Sequence, residues 1–171
     1  MSNSASSWEV RLAELWASLP EHEPAHFRSK MRELVGDLPK GNAIGLFELG
    51  CSHDSTGESD LAVPLYRSAL AAGLSGLRRR RATIQLASSL RNIGKAGEAA
   101  LLLASESLQP EDELSSAVSA FRALALSDLG REREALGHAL LALSKHLPRY
   151  NASLARYAGK LADGERVEPA A

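Results

Sequence analysis

The sequence predicts an all-α protein built from repeated helical hairpins, and three observations carry that prediction. Aromatic residues make up only 5% of the chain, while Ala and Leu dominate a hydrophobic fraction of 44%. Such a composition suits small-residue helix packing and lacks the Val-, Ile- and Tyr-rich runs of strands. Residues 78–104, RRRRATIQLASSLRNIGKAGEAALLLA, place Ala82, Leu86, Ala87 and Leu90 at helical spacing, stop at Gly94, and restart the period at Ala99, Leu102 and Leu103. The hinge glycine then recurs: Gly57, Gly94 and Gly130 lie 37 and 36 residues apart, and each is followed five residues later by an alanine, Ala62, Ala99 and Ala135. That is an internal repeat. A chain of 171 residues suits one domain, 1–171, with a core of its own.

Taken in order, residues 1–6 are Ser/Asn-rich and expected to be disordered. From Ser7 a helix fits, with Trp8, Leu12, Leu15 and Trp16 on one stripe, and Leu19-Pro20 stops it because the residue before proline is pushed out of helical geometry. Pro24 suits the first turn of a second helix through Phe27, Met31, Leu34 and Val35, so 7–38 reads as an N-terminal helix pair. Residues 43–148 hold three hairpins. Their helices are expected at about 43–56 and 59–72, with Pro64 an awkward guest that should bend the second; at about 76–93 and 96–108; and from the acidic Glu111-Asp112-Glu113 to Pro148, turning at Gly130. A last helix over 149–164 carries an apolar stripe of Tyr150, Leu154, Tyr157 and Leu161 and reads as a cap on the stack. The tail RVEPAA is expected to be loose.

A net charge of −1 removes any global electrostatic argument for nucleic acid or an anionic membrane. Locally, residues 75–109 carry six Arg/Lys against two Glu, whereas residues 110–147 carry four against six acids, so the middle repeat is the basic one. Cys51 is the single cysteine and cannot form an internal disulfide, and no stretch approaches the ~18 uninterrupted apolar residues of a membrane span. A cytoplasmic protein is the expectation.

Aligned on the hinge, the segments resemble the tetratricopeptide repeat. The first repeat supplies Leu46, Leu49, Gly50, His53, Ala62, Tyr66 and Ala69; the second Leu86, Ala87, Leu90, Ala99, Leu103 and Pro110; the third Ala123, Leu126, Ala135, Ala142 and Pro148. Thr83 and Ser119 stand where that pattern has a large residue, and Glu106 where it has alanine. The repeats are slightly longer than the usual ~34 residues. The resemblance implies antiparallel hairpins stacked in a right-handed superhelix that binds proteins and performs no catalysis.

It also implies that the first helix of each hairpin lines a concave groove. The family's offsets then assign Phe47, Cys51, Asp54 and Ser55 in the first repeat, Arg81, Ile84, Ser88, Arg91 and Asn92 in the second, and Ala120, Leu124, Ser127 and Asp128 in the third. Arg91 and Asn92 together resemble a carboxylate clamp, since guanidinium offers a planar fork and the amide a further donor. Phe47, Ile84 and Leu124 would form an apolar floor, with Arg81, Arg91 and Asn92 as polar anchors.

Other motifs point elsewhere. His22-Glu23-Pro24-Ala25-His26 matches the zinc-protease pattern H-E-x-x-H, but that chemistry needs both histidines on one continuous helix, and Pro24 sets the pentapeptide across a turn and a helix start. Cys51 and His53, two apart on a helix, point away from each other and form no nucleophile pair. The run Arg78 to Arg81 has no aromatic residue between Tyr66 and Phe121 with which to stack bases. Its four charges oppose the macrodipole of their own helix, which suggests a role toward a partner. The expectation is therefore a non-catalytic module binding a protein or peptide, acidic or amphipathic, without metal, cofactor, nucleic acid or membrane. Self-association as a homodimer, through the Trp8/Trp16 helix or the last helix, is the alternative within binding; a zinc hydrolase through His22, Glu23 and His26 is the alternative outside it.

Overall fold

The computed structural model describes residues 2–164, and everything it describes is helix, turn or loop; no strand occurs among the described residues. The helices are α1 (Ser2–Ala17), α2 (Pro24–Val35), α3 (Ala43–Asp54), α4 (Ser59–Ala71), α5 (Gly76–Asn92), α6 (Ala96–Glu106), α7 (Ser115–Ser127), α8 (Glu132–Ser144) and α9 (Asn151–Ala162), with a 3-10 turn at Leu19–Glu21. Helix α1 is bounded at Ser2; residues 1–6, expected from sequence to be disordered, lie outside the residues whose side chains are described. The tail RVEPAA lies outside the described residues.

Each hairpin hinge is built the same way. Gly57, Gly94 and Gly130 have φ of 86°, 77° and 71°, the left-handed region where a Cβ is strained. That one left-handed residue turns the next amide back onto the helix just ended. Glu58 N–H donates to His53 O, Lys95 N–H to Leu90 O and Arg131 N–H to Leu126 O, at 2.9, 2.8 and 3.0 Å. These are the six-to-one bonds of a Schellman cap, which satisfy carbonyls the helix leaves open. The residue so turned starts the next helix, and its carbonyl receives the amide of Ala62, Ala99 or Ala135. All three alanines are buried where the paired helices meet.

The chain folds as two compact units, residues 1–82 and 83–171, with the division inside α5. In the first unit α1 lies on α2 through Trp8, Leu12, Phe27, Met31 and Leu34, joined by Ile44 and Leu49 of α3. Each large apolar side chain withdrawn from water there contributes roughly 1.5–3 kcal/mol. The Trp8 indole keeps its polar end satisfied by donating to Leu34 O at 2.9 Å. Helices α3 and α4 approach closely because Gly50 faces the Tyr66 ring, which would lie 2.9 Å from any Cβ at that position. Pro64 sits inside α4 on its exposed side, where its missing donor leaves one helix carbonyl to water.

In the second unit, α6, α7, α8 and α9 pack in succession around Leu90, Leu103, Val118 and Leu126, all essentially without solvent contact. The α8–α9 crossing is tightest at Gly137, where an added Cβ would fall on the backbone of Leu161 and Ala162. In α9 the expected apolar stripe splits: Leu154 and Leu161 are half-buried, Ala158 is fully buried, and Tyr150 and Tyr157 are exposed.

Candidate functional site

The positions assigned to a groove fall partly in each unit. In the first, α3 supplies Phe47, Cys51 and Asp54, and the start of α5 supplies Arg81. Phe47 is 0% and Cys51 3% exposed, which corrects the assignment of Phe47 to the apolar floor and of Cys51 to the groove lining. The ring packs on Tyr66 with centroids 6.2 Å apart, and the Arg81 guanidinium carbon lies 5.3 Å from the Phe47 centroid, so what solvent meets there is the cation. Burial, followed by the nearby Glu48 charge, pushes the Cys51 thiol up to about 12, so it stays protonated and unreactive. Asp54 accepts from Tyr66 Oη at 3.4 Å and Ser59 Oγ at 3.3 Å, tying α3 to α4. Burial first, then the neighbouring Cys51 and Asp54, pushes the Tyr66 phenol well above its ordinary value. His53 faces the hinge, its Nδ1 within hydrogen-bond distance of the Glu58 carboxylate at 2.7 Å; Arg28 of α2 pairs with the same carboxylate.

A charged cluster in this unit was not foreseen. Glu48, only 3% exposed, accepts from the Trp16 indole at 2.9 Å and faces Arg78 Nε at 3.4 Å, while Arg78 also pairs with Glu9 at 2.6 Å. Burial raises the Glu48 carboxyl above its ordinary value, opposed by the Trp16 hydrogen bond and the charges of Arg78 and Arg81. The Arg78 guanidinium is raised chiefly by its bond to Glu9. This cluster accounts for much of the arginine run, read from sequence as directed at a partner: Arg78 is held by two carboxylates, Arg80 is 5% exposed, and Arg81 lies over Phe47. The available signal was a glutamate on the inward side of α3, beside Phe47, in a chain with four successive arginines.

In the second unit, Ile84 is buried and leaves the proposed floor, a second correction. Ser88 and Arg91 are half-exposed and Asn92 is exposed on α5, while Leu124 is 46% exposed on α7. Arg91 Nε and Nη2 both donate to Asp128 at the end of α7, so the clamp arginine already holds a carboxylate of this chain.

The other motifs resolve simply. His22 follows the 3-10 turn in extended conformation and His26 lies in α2, with the rings 5.2 Å apart and edge-on. Among the described residues no three His, Cys, Asp or Glu side chains come together to hold a metal. Trp8 is core and Trp16 packs on Phe27 at 5.2 Å. His138 is half-buried, its imidazole lowered by burial and then by Arg122. No described helix is long and apolar enough to cross a membrane.

Hairpins with identical glycine hinges and small buried residues at the crossings define a helical-repeat protein. The tetratricopeptide repeat profile matches residues 43–161, and the chain belongs to that family. Neither a curated protein nor a solved structure matches the chain. Tetratricopeptide repeats mediate protein–protein interaction and are in general scaffolds, not enzymes.

Proposed function

We propose that the protein binds a peptide or protein segment on the exposed side chains of α5 and α7 within the second unit: Ser88, Arg91, Asn92, Leu124 and Asp128. One observation carries the reading. An exposed leucine, Leu124 of α7, lies four residues before the C-cap Asp128, whose pairing with Arg91 is only partly shielded, at 20% side-chain exposure for Arg91 and 39% for Asp128. A pair so open to water contributes less than about 1 kcal/mol, so an incoming charge can exchange for either member. An amphipathic segment meets such a surface: its carboxylate takes Arg91, Asn92 adds a donor, and an apolar side chain covers Leu124. Arg81 is a separate basic contact in the first unit, and no catalytic residue is assigned.

The test is recovery of a co-purifying partner by the full chain and by Arg91→Ala with Asn92→Ala. Loss of recovery with a nearly unchanged circular-dichroism melt is the expected result, and unaltered recovery overturns the assignment.

A further inference from the structure

Counted from the hinge glycines, α8 turns a different flank to solvent from its two counterparts. Six and nine residues after Gly57 stand Val63 and Tyr66, at 5% and 0% exposure, and the same offsets from Gly94 give Ala100 and Leu103, at 7% and 0%. From Gly130 they give Leu136, which is 51% exposed, and Ala139, which is exposed as well. The position seven after the hinge reverses the pattern: Pro64 and Leu101 are exposed, whereas Gly137 is buried.

The cause is the flank on which the following helix lies. Helix α6 receives α7, and its Ala100 and Leu103 are withdrawn from water. Helix α8 receives α9 at Gly137, where an added Cβ would fall on the α9 backbone. Glycine thus admits α9 at an offset where α4 has proline and α6 leucine, and the flank that both counterparts bury stays open on α8.

That open flank is a seam. Glu132, Leu136, Ala139 and Leu143 all lie within α8, are all exposed, and follow one another at intervals of four, three and four residues. This is the spacing of a two-helix seam, and it sets Leu136 and the 48% exposed Leu143 roughly 10 Å apart along the axis. Turned end for end about Ala139, the seam matches itself. Leu136 then meets Leu143 of a second copy, and the two small Ala139 side chains let the helix axes approach to about 8–10 Å. The ends match too. Glu132 opens the helix, and the exposed His146 lies in the turn that closes it, its N–H bonded to Leu143 O at 2.9 Å. Antiparallel pairing sets each carboxylate near an imidazole that has an N–H to donate, whereas parallel pairing sets acid beside acid.

We propose that the open flank of α8 pairs antiparallel with the same flank of a second copy, forming a homodimer across Leu136, Ala139 and Leu143. Self-complementarity of shape and charge names the occupant. The seam is short, so the dimer is weak and reversible. It does not rest on Arg91, Asn92 or Leu124.

Sedimentation equilibrium of the full chain, from low micromolar to millimolar concentration, reads the association. The mass is expected to climb from 18.3 kDa toward twice that value. Leu136→Glu with Leu143→Glu should weaken association about tenfold or more with an unchanged melt, since both side chains are exposed. Arg91→Ala with Asn92→Ala should leave the mass curve as it was. Ala139→Cys places two thiols at the two-fold axis, so mild oxidation should link its copies and not those of Glu132→Cys; the buried Cys51 stays out of the reaction. A mass that holds at 18.3 kDa at every concentration overturns the proposal, even if the seam then holds a helix of another protein. So does association that survives the double glutamate variant, that falls in the Arg91/Asn92 variant, or that links Glu132→Cys as readily as Ala139→Cys. Should the double glutamate variant fail to fold, the two cysteine variants decide.

Discussion

The indole N–H of Trp16 donates to the Glu48 carboxylate at 2.9 Å, across 32 residues of sequence. This bond joins α1 to α3 and places a nearly inaccessible acid beside Arg78. Because burial raises the folded carboxyl above its ordinary 4.5, the native state binds a proton more tightly than the unfolded chain does. The stability due to that tighter proton is present at low pH and is lost as pH climbs through the raised value. Glu48→Gln removes this dependence while keeping an acceptor for Trp16. The wild-type melting temperature, measured against that of the variant, is expected to improve as pH falls from 7 toward 4.5; a constant difference contradicts the buried-acid reading.

Gly137 and Gly97 form a matched pair of glycine tests. At Gly137 an added methyl meets the backbone of α9, which cannot move aside as a flexible side chain would. Gly137→Ala should lower stability by about 1–3 kcal/mol, seen as a fall in melting temperature. At Gly97, in the first turn of α6, a methyl meets nothing within 4 Å. Gly97→Ala should raise stability by roughly 0.4–1 kcal/mol through the unfolded chain's lost freedom.

Gly94 tests the hinge itself. With φ of 77° and open space around the missing Cβ, the penalty for alanine is conformational and not steric crowding. Gly94→Ala is expected to cost about 1–2 kcal/mol and Gly94→Asn less, since asparagine tolerates the left-handed region. Equal melts for the three proteins would contradict the cap geometry.

Cys51 should be silent in the native protein. Its thiol is 3% exposed and pushed up to about 12, so a disulfide reagent at pH 8 is expected to find no reactive thiol until denaturant is added. Rapid native labelling would show that the α3–α4 packing opens.

The hinges and the alanines behind them were legible because each rests on a local requirement. A left-handed residue favours glycine whatever surrounds it, and two helices crossing closely need a small side chain at a fixed offset from the turn. The candidate site was less legible. Helical periodicity places Phe47, Cys51 and Ile84 on a face but does not say what covers that face, and all three proved buried. The apolar stripe of α9 was readable, yet its leucines turned partly inward and its tyrosines outward, since only contact with α8 settles which edge of a stripe is covered.

The sequence by itself determined the helical class, the repeat, its hinges and its family, all of which depend on interactions within one hairpin of about 35 residues. Tertiary structure alone decided where the charges went. Arg78 found Glu9 and Glu48, and Arg91 found Asp128, across 69, 30 and 37 residues, while Arg149 and Arg156 found no carboxylate among the described residues. The physical reason is that a cation's partner is set by distance in space and by the loss of water around both groups. No spacing along the chain encodes either quantity.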